Sequence, residues 1–75
     1  MGEVNPKLTK LIDYAGGNNP VYIGWARSGT ATSSAKWKIK KLVYSGSNVY
    51  EYWADYSPRF VHIWDNRATS YSYGP

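Results

Sequence analysis

Residues 35–55 read AKWKIKKLVYSGSNVYEYWAD, and this stretch decides the fold. Trp37 and Ile39 alternate with Lys36, Lys38 and Lys40, a period of two that puts apolar side chains on one face of a strand and ammonium groups on the other. The alternation slips at Lys40-Lys41, where a β-bulge would restore register before Leu42-Val43-Tyr44. Ser45-Gly46-Ser47-Asn48 is turn chemistry and closes a hairpin. In the return strand Val49, Glu51 and Trp53 share one face, and Tyr50, Tyr52 and Ala54 the other. Both faces are partly apolar, so one of them is expected to meet another surface.

The pattern extends outward in both directions. Upstream, KLTKLIDYA and PVYIGWA flank Gly16-Gly17-Asn18-Asn19, which predicts a second hairpin with strands near 7–14 and 20–26. A short helix over 6–14 is the alternative, because Pro6 suits the first helical position and Gly16 its end. Arg27 to Ala35 is small, polar and aperiodic, and reads as a long loop that is either an ordinary connector or a functional segment. Downstream of the DYSPR loop, FVHIW sets Phe60, His62 and Trp64 opposite Val61 and Ile63. With two apolar faces it reads as a central strand or one buried at an interface. Thr69, Tyr71 and Tyr73 alternate with Ser70 and Ser72 and suggest an edge strand. The expectation is one small all-β domain over residues 1–75, an antiparallel barrel or sandwich of five to six short strands built from hairpins. Val21, Ile23, Trp37, Ile39, Trp53, Ile63 and Trp64 are expected to be mostly buried. No internal repeat is evident.

Size constrains what can hold such a domain together. A chain of 75 residues buries only roughly 60% of its unfolded surface, so its core is thin. With no Cys there are no disulfides, and with His62 as the only imidazole and no thiolates a zinc site is nearly excluded. Four Trp, eight Tyr and one Phe supply the packing instead. At about 150–250 Å² per large ring they exceed what one small core can bury, which leaves rings for a partner surface. The net charge of +4 suits an anionic partner, and it also simply keeps a protein soluble. No stretch approaches the roughly 18 apolar residues of a membrane span. The start of the chain lacks the apolar core of an export signal, and Pro6 stands where a myristoylation motif would carry Ser or Thr.

Catalytic chemistry finds little support. His62 lies in an apolar strand without a Cys or a Ser–Asp pairing and reads as structural. Asp13, Asp55 and Asp65 fall at turns, where Asp caps the backbone. The glycines form no phosphate-loop or dinucleotide pattern. Asp65 is placed to accept a pair from Arg67 or another Arg and so fix the turn after the last core strand. The expectation is a protein that is not an enzyme and needs no cofactor or metal. Lys36, Lys38 and Lys40, with Lys41 adjacent, form the candidate anion-facing group. Trp37, Tyr44, Tyr50 and Tyr52 interleave with them as in single-strand binders, although alternating Lys also protects an exposed strand.

A longer string of motifs carries a resemblance. Tyr22-Ile23-Gly24, the Gly29 to Ser33 loop, Trp37 to Lys41, Trp53-Ala54-Asp55 and Trp64 to Ala68 follow one another in a fixed order. That order resembles small virion-associated proteins of tailed bacteriophages, over most of the chain from about Val21 onward. Tyr50-Glu51-Tyr52 and Tyr56 depart from it by being more aromatic. The resemblance implies a place in a phage particle, made in the host cytoplasm, and brings neither a fold nor an activity with it. The resulting expectation is a non-enzymatic virion structural protein, a head, fibre, collar or tail component. It would contact copies of itself or other virion proteins, without a membrane, through Tyr50, Tyr52, Tyr56, Tyr71 and Tyr73. A small barrel binding single-stranded nucleic acid is the second reading, and a carbohydrate-binding module the third.

Overall fold

A computed structural model describes residues 7–74. The readings that rest on the start of the chain and on Pro6 lie outside the described residues. Five strands follow in order: β1 (Leu8–Asp13), β2 (Tyr22–Arg27), β3 (Ala35–Ser45), β4 (Asn48–Trp53) and β5 (His62–Ile63). Short 3₁₀ turns at Ala54–Tyr56 and Trp64–Asn66 follow β4 and β5. All pairings are antiparallel, in the spatial order β1-β2-β3-β4, with β5 on the first residues of β3. The fold is therefore all-β and built from hairpins, as its alternation demands. The sheet does not close into a barrel.

Local chemistry explains the turns. Asp13 ends β1 by accepting the Ala15 amide at 2.8 Å, and Ala15 and Gly16 then take left-handed φ of 50° and 80°. That turn makes 8–13 a strand and not a helix. Gly46 opens the two-residue β3–β4 turn at φ 60°, the position at which a type II′ hairpin requires glycine.

The strands' side chains divide between two very different faces. On the first, Thr9, Leu11 and Asp13 neighbour Tyr22, Gly24 and Ala26, which neighbour Trp37, Ile39 and Lys41. The chain from His62 to Gly74 folds back over this face. Trp64 lies against Gly24 so closely that a Cβ there would stand 2.5 Å from its ring, and the ring meets Trp37 at 5.9 Å. Ala26, Trp37, Ile39, Ala54 and Trp64 form the buried core. Each indole, at about 150–250 Å² and ~25 cal/mol per Å², contributes on the order of 4–6 kcal/mol before ordering costs.

Polar contacts clamp the covering segment. Arg67 Nε donates to Asp13 Oδ2 at 2.9 Å while its guanidinium rests over Trp64, 4.5 Å from the ring centroid. The Tyr73 hydroxyl donates to the Arg67 carbonyl, and the Tyr71 hydroxyl accepts the Ile63 amide. Asp55 and Ser72 exchange two bonds of 2.9 Å each, from the Asp55 amide to the Ser72 carbonyl and from the Ser72 amide to Asp55 Oδ1.

Several expectations are corrected here. Residues 69–73 are no edge strand: a turn spans 67–70, and Tyr71 and Tyr73 pack into the core instead of alternating along a ladder. FVHIW is not a central strand, since only His62 and Ile63 pair while Phe60 and Val61 stay exposed. The bulge expected at Lys40-Lys41 is absent. β3 runs through it in register with both neighbours, and the irregularity sits between Ala35 and Trp37 opposite β5. Arg67 pairs with Asp13 on β1 and not with Asp65, because the 3₁₀ turn aims it back across the sheet.

Beyond Leu42 the β3–β4 ribbon outruns β2, whose last paired residue, Tyr22, faces Lys41. It forms an arm steadied at its base by the Tyr44 hydroxyl donating to the Pro20 carbonyl at 2.7 Å. The molecule accordingly measures 48 × 25 × 23 Å.

Candidate interaction surfaces

Among the described residues, no second layer covers the other face of the sheet. Strand register sets its residues in rows: Lys10, Trp25 and Lys38; then Ile12, Ile23, Lys40 and Trp53; then Leu42 and Glu51. Trp25 and Trp53 lie 6.1 Å apart at 53° to each other. Three ammonium groups gather round them. Lys38 Nζ is 5.7 Å from the Trp25 centroid, 5.0 Å from Trp53 and 5.4 Å from Phe60. Lys40 Nζ stands 5.3 Å from both indoles, and Lys10 Nζ 5.8 Å from Trp25. Each cation–π contact is worth about 0.5–1 kcal/mol at an exposed site, enough to favour one position for an otherwise mobile lysine.

Little on this face neutralises those charges. Among the described residues, Glu51 is the only acidic strand residue pointing to it, and it bonds Lys40 at 2.7 Å. Asp13, the other strand carboxylate, is on the covered face, where the Ala15 amide and then Arg67 hold its pKa below the ordinary value against the opposing effect of burial. At the β1 end of the open face, Leu8, Arg27, Thr30, Lys36 and Phe60 line a depression of about 470 Å³. Its walls carry two apolar side chains and two cations.

Structure thus splits the lysine group read from sequence. Lys36, Lys38 and Lys40 share the open face. Lys41 does not join them, since an unbroken β3 turns it to the covered face, over Tyr22 at 5.7 Å and Tyr73 at 5.8 Å. The rings that accompany the lysines are also different ones. Trp37 is buried on the opposite face, its Nε1 donating to the Ala31 carbonyl, and the neighbours are Trp25, Trp53 and Phe60. Lys10 belongs to the group and was not singled out in the sequence. The sequence does carry a signal for the face of Trp25: Gly24 and Ala26, small residues at i and i+2, mark the side of β2 that a covering ring meets and so turn Trp25 to the other, whereas Lys10 joins it only through the β1–β2 register.

The arm offers a second surface. Tyr50 and Tyr52 stack at 6.2 Å with 10° between their planes. Val43, Tyr44, Val49 and Tyr50 are all exposed, on both sides of the ribbon. Tyr56, just past β4, is 65% exposed at a left-handed φ of 61°. Of the five tyrosines expected at an interface, Tyr50 and Tyr56 are exposed and Tyr52 is half-buried, stacked on Tyr50. Tyr71 and Tyr73 are withdrawn into the fold, where burial first, and neighbouring tyrosines second, push the Tyr73 phenol well above its usual pKa.

His62 is 4% exposed, edge-on to Tyr71 at 4.7 Å, and its Nδ1 has no hydrogen-bond partner. No Asp, Ser or Cys reaches it to form a relay among the hydrogen bonds described. No cluster of three or more metal-ligating side chains occurs among the described residues, and none of their helices is long and apolar enough to cross a membrane. No known protein family, curated protein or solved structure matches the chain.

Proposed function

We propose that this chain is a non-enzymatic structural protein of a bacteriophage particle, a head, fibre, collar or tail component that works by protein–protein assembly. The β3–β4 arm carries the reading. A two-stranded ribbon is marginal in water by itself, and this one presents Val43, Tyr44, Val49 and Tyr50 to solvent on both faces. Tyr50, Tyr52 and Tyr56 are rigid, amphipathic contact residues of the kind enriched where proteins meet. Docking to a neighbouring copy or another virion protein would cover them and stabilise a thin-cored domain by mass action. The ordered motifs from Tyr22 to Ala68 that resemble phage virion proteins point the same way.

Mass spectrometry of purified particles tests this. The chain is expected at a fixed copy number, and Tyr50→Ser/Tyr52→Ser is expected to fold yet be lost from the particle. A strictly monomeric chain that is absent from particles would overturn the reading.

A further inference from the structure

We infer that the open face of the sheet binds single-stranded nucleic acid, with its lysines on the phosphates and Trp25, Trp53 and the depression beside Phe60 taking unstacked bases. This goes beyond assembly through the arm and does not depend on it.

The first argument is charge. Lys36, Lys38 and Lys40 run along β3 over about 13 Å, and Lys10 lies two strands away, roughly 10 Å across. One carboxylate, Glu51, opposes these four cations on the strands of that face. The surface is therefore a continuous cationic strip, suited to a polymer of negative charges more than to a single anion.

The second argument is what lies between the charges. Single-strand sites combine a cationic groove with aromatic platforms, because every base offers a π-face whatever its identity. Here two indoles and Phe60 sit within 6 Å of the Lys10, Lys38 or Lys40 ammonium groups. The lysines now rest against those rings. Their four-carbon stems let them swing onto phosphates, and a base then takes the vacated ring.

The third argument is the depression. Leu8 and Phe60 supply apolar wall, while Arg27 and Lys36 supply cations. That is the composition a base with its flanking phosphates requires. An acidic polypeptide would use the ammonium groups but leave the indoles and the apolar wall uncovered. A duplex would offer its backbone and keep its bases stacked.

The full chain supplies its own probe, since Trp25 and Trp53 lie on this face while Trp37 and Trp64 are buried. Titration with a 12-nucleotide oligothymidine at 20 mM salt is expected to quench tryptophan fluorescence with a micromolar Kd. Neutralising four phosphates at a log–log slope of about −0.7 each predicts about 20-fold weaker binding between 50 and 150 mM salt. Lys36→Gln/Lys38→Gln/Lys40→Gln should keep its far-UV spectrum and flatten that slope by about 2. Phe60→Ser, at an exposed position, should weaken binding while leaving the slope unchanged.

Absence of binding at 20 mM salt would overturn the inference, as would unchanged binding by the triple variant. Equal affinity for a 12-residue polyglutamate would replace it with an acidic protein partner, and equal affinity for a 12-base-pair duplex with backbone recognition. Incorporation of the triple variant into purified particles reads the assembly proposal separately.

Discussion

The two faces of this sheet are built from the same strands and differ in almost everything else. On the covered face Gly24 and Ala26 clear a floor for Trp64, and hydrogen bonds donated by Arg67 and Tyr73 and accepted by Tyr71 and Asp55 lock the last dozen described residues over it. On the open face, one residue along in each strand, Trp25 and Trp53 stand among Lys10, Lys38 and Lys40, with no second layer among the described residues. Alternation thus assigns one set of rings to the core and leaves the other on the open face. The comparison predicts that substitutions one residue apart act on different properties.

Trp64→Ala should have the largest effect. Removing a buried indole costs about 3–5 kcal/mol, a large share of the total stability of so small a domain, and urea denaturation should show most or all of the folded signal lost. Gly24→Ala comes next. Its Cβ would meet the Trp64 ring at 2.5 Å, and overpacking of this kind costs about 1–3 kcal/mol. The adjacent Trp25→Leu, at a half-exposed position on the open face, should cost about 1 kcal/mol in the same assay. Equal losses at positions 24 and 25 would break the distinction between faces.

The Asp13–Arg67 pair sharpens it through pH. The pKa of Asp13 is lowered in the fold, first by the Ala15 amide and then by Arg67, so its contribution is fully present above the unfolded value and is lost as pH falls through the folded one. Stability should therefore decline below about pH 4, and Asp13→Asn should flatten that part of the profile. Both partners are partly exposed, so the neutral-pH loss should be about 1 kcal/mol or less. The smallest effect belongs to Lys36→Gln/Lys38→Gln/Lys40→Gln, which should move the urea midpoint by less than the equivalent of about 1 kcal/mol.

Much of this was legible in the sequence, and what was not has physical reasons. The period of two at Lys36 to Lys40 and the glycine turns at 16 and 46 specify hairpins, and the strands form where they indicate. Trp37, Ile39 and Trp64 are buried as their positions suggest. The end of the chain misled because Ser and Tyr alternating over 69–73 carries the period of a strand, yet each tyrosine there serves a specific acceptor or donor in the core. Arg67 found Asp13, 54 residues away, because only the tertiary fold brings β1 beneath the covering segment. The lysine cluster was legible on β3. Its rings were not, since Trp25 and Trp53 reach it from neighbouring strands through registers that no local pattern specifies.

The division of labour between the faces is tested most directly by the four indole N–H resonances in a proton–nitrogen correlation spectrum, followed as 12-nucleotide oligothymidine is added. The account predicts that the Trp25 and Trp53 signals shift together with saturation, while those of Trp37, held by Ala31, and Trp64, seated on Gly24, stay in place. Four unmoved indoles, or shifts confined to Trp37 and Trp64, would contradict it.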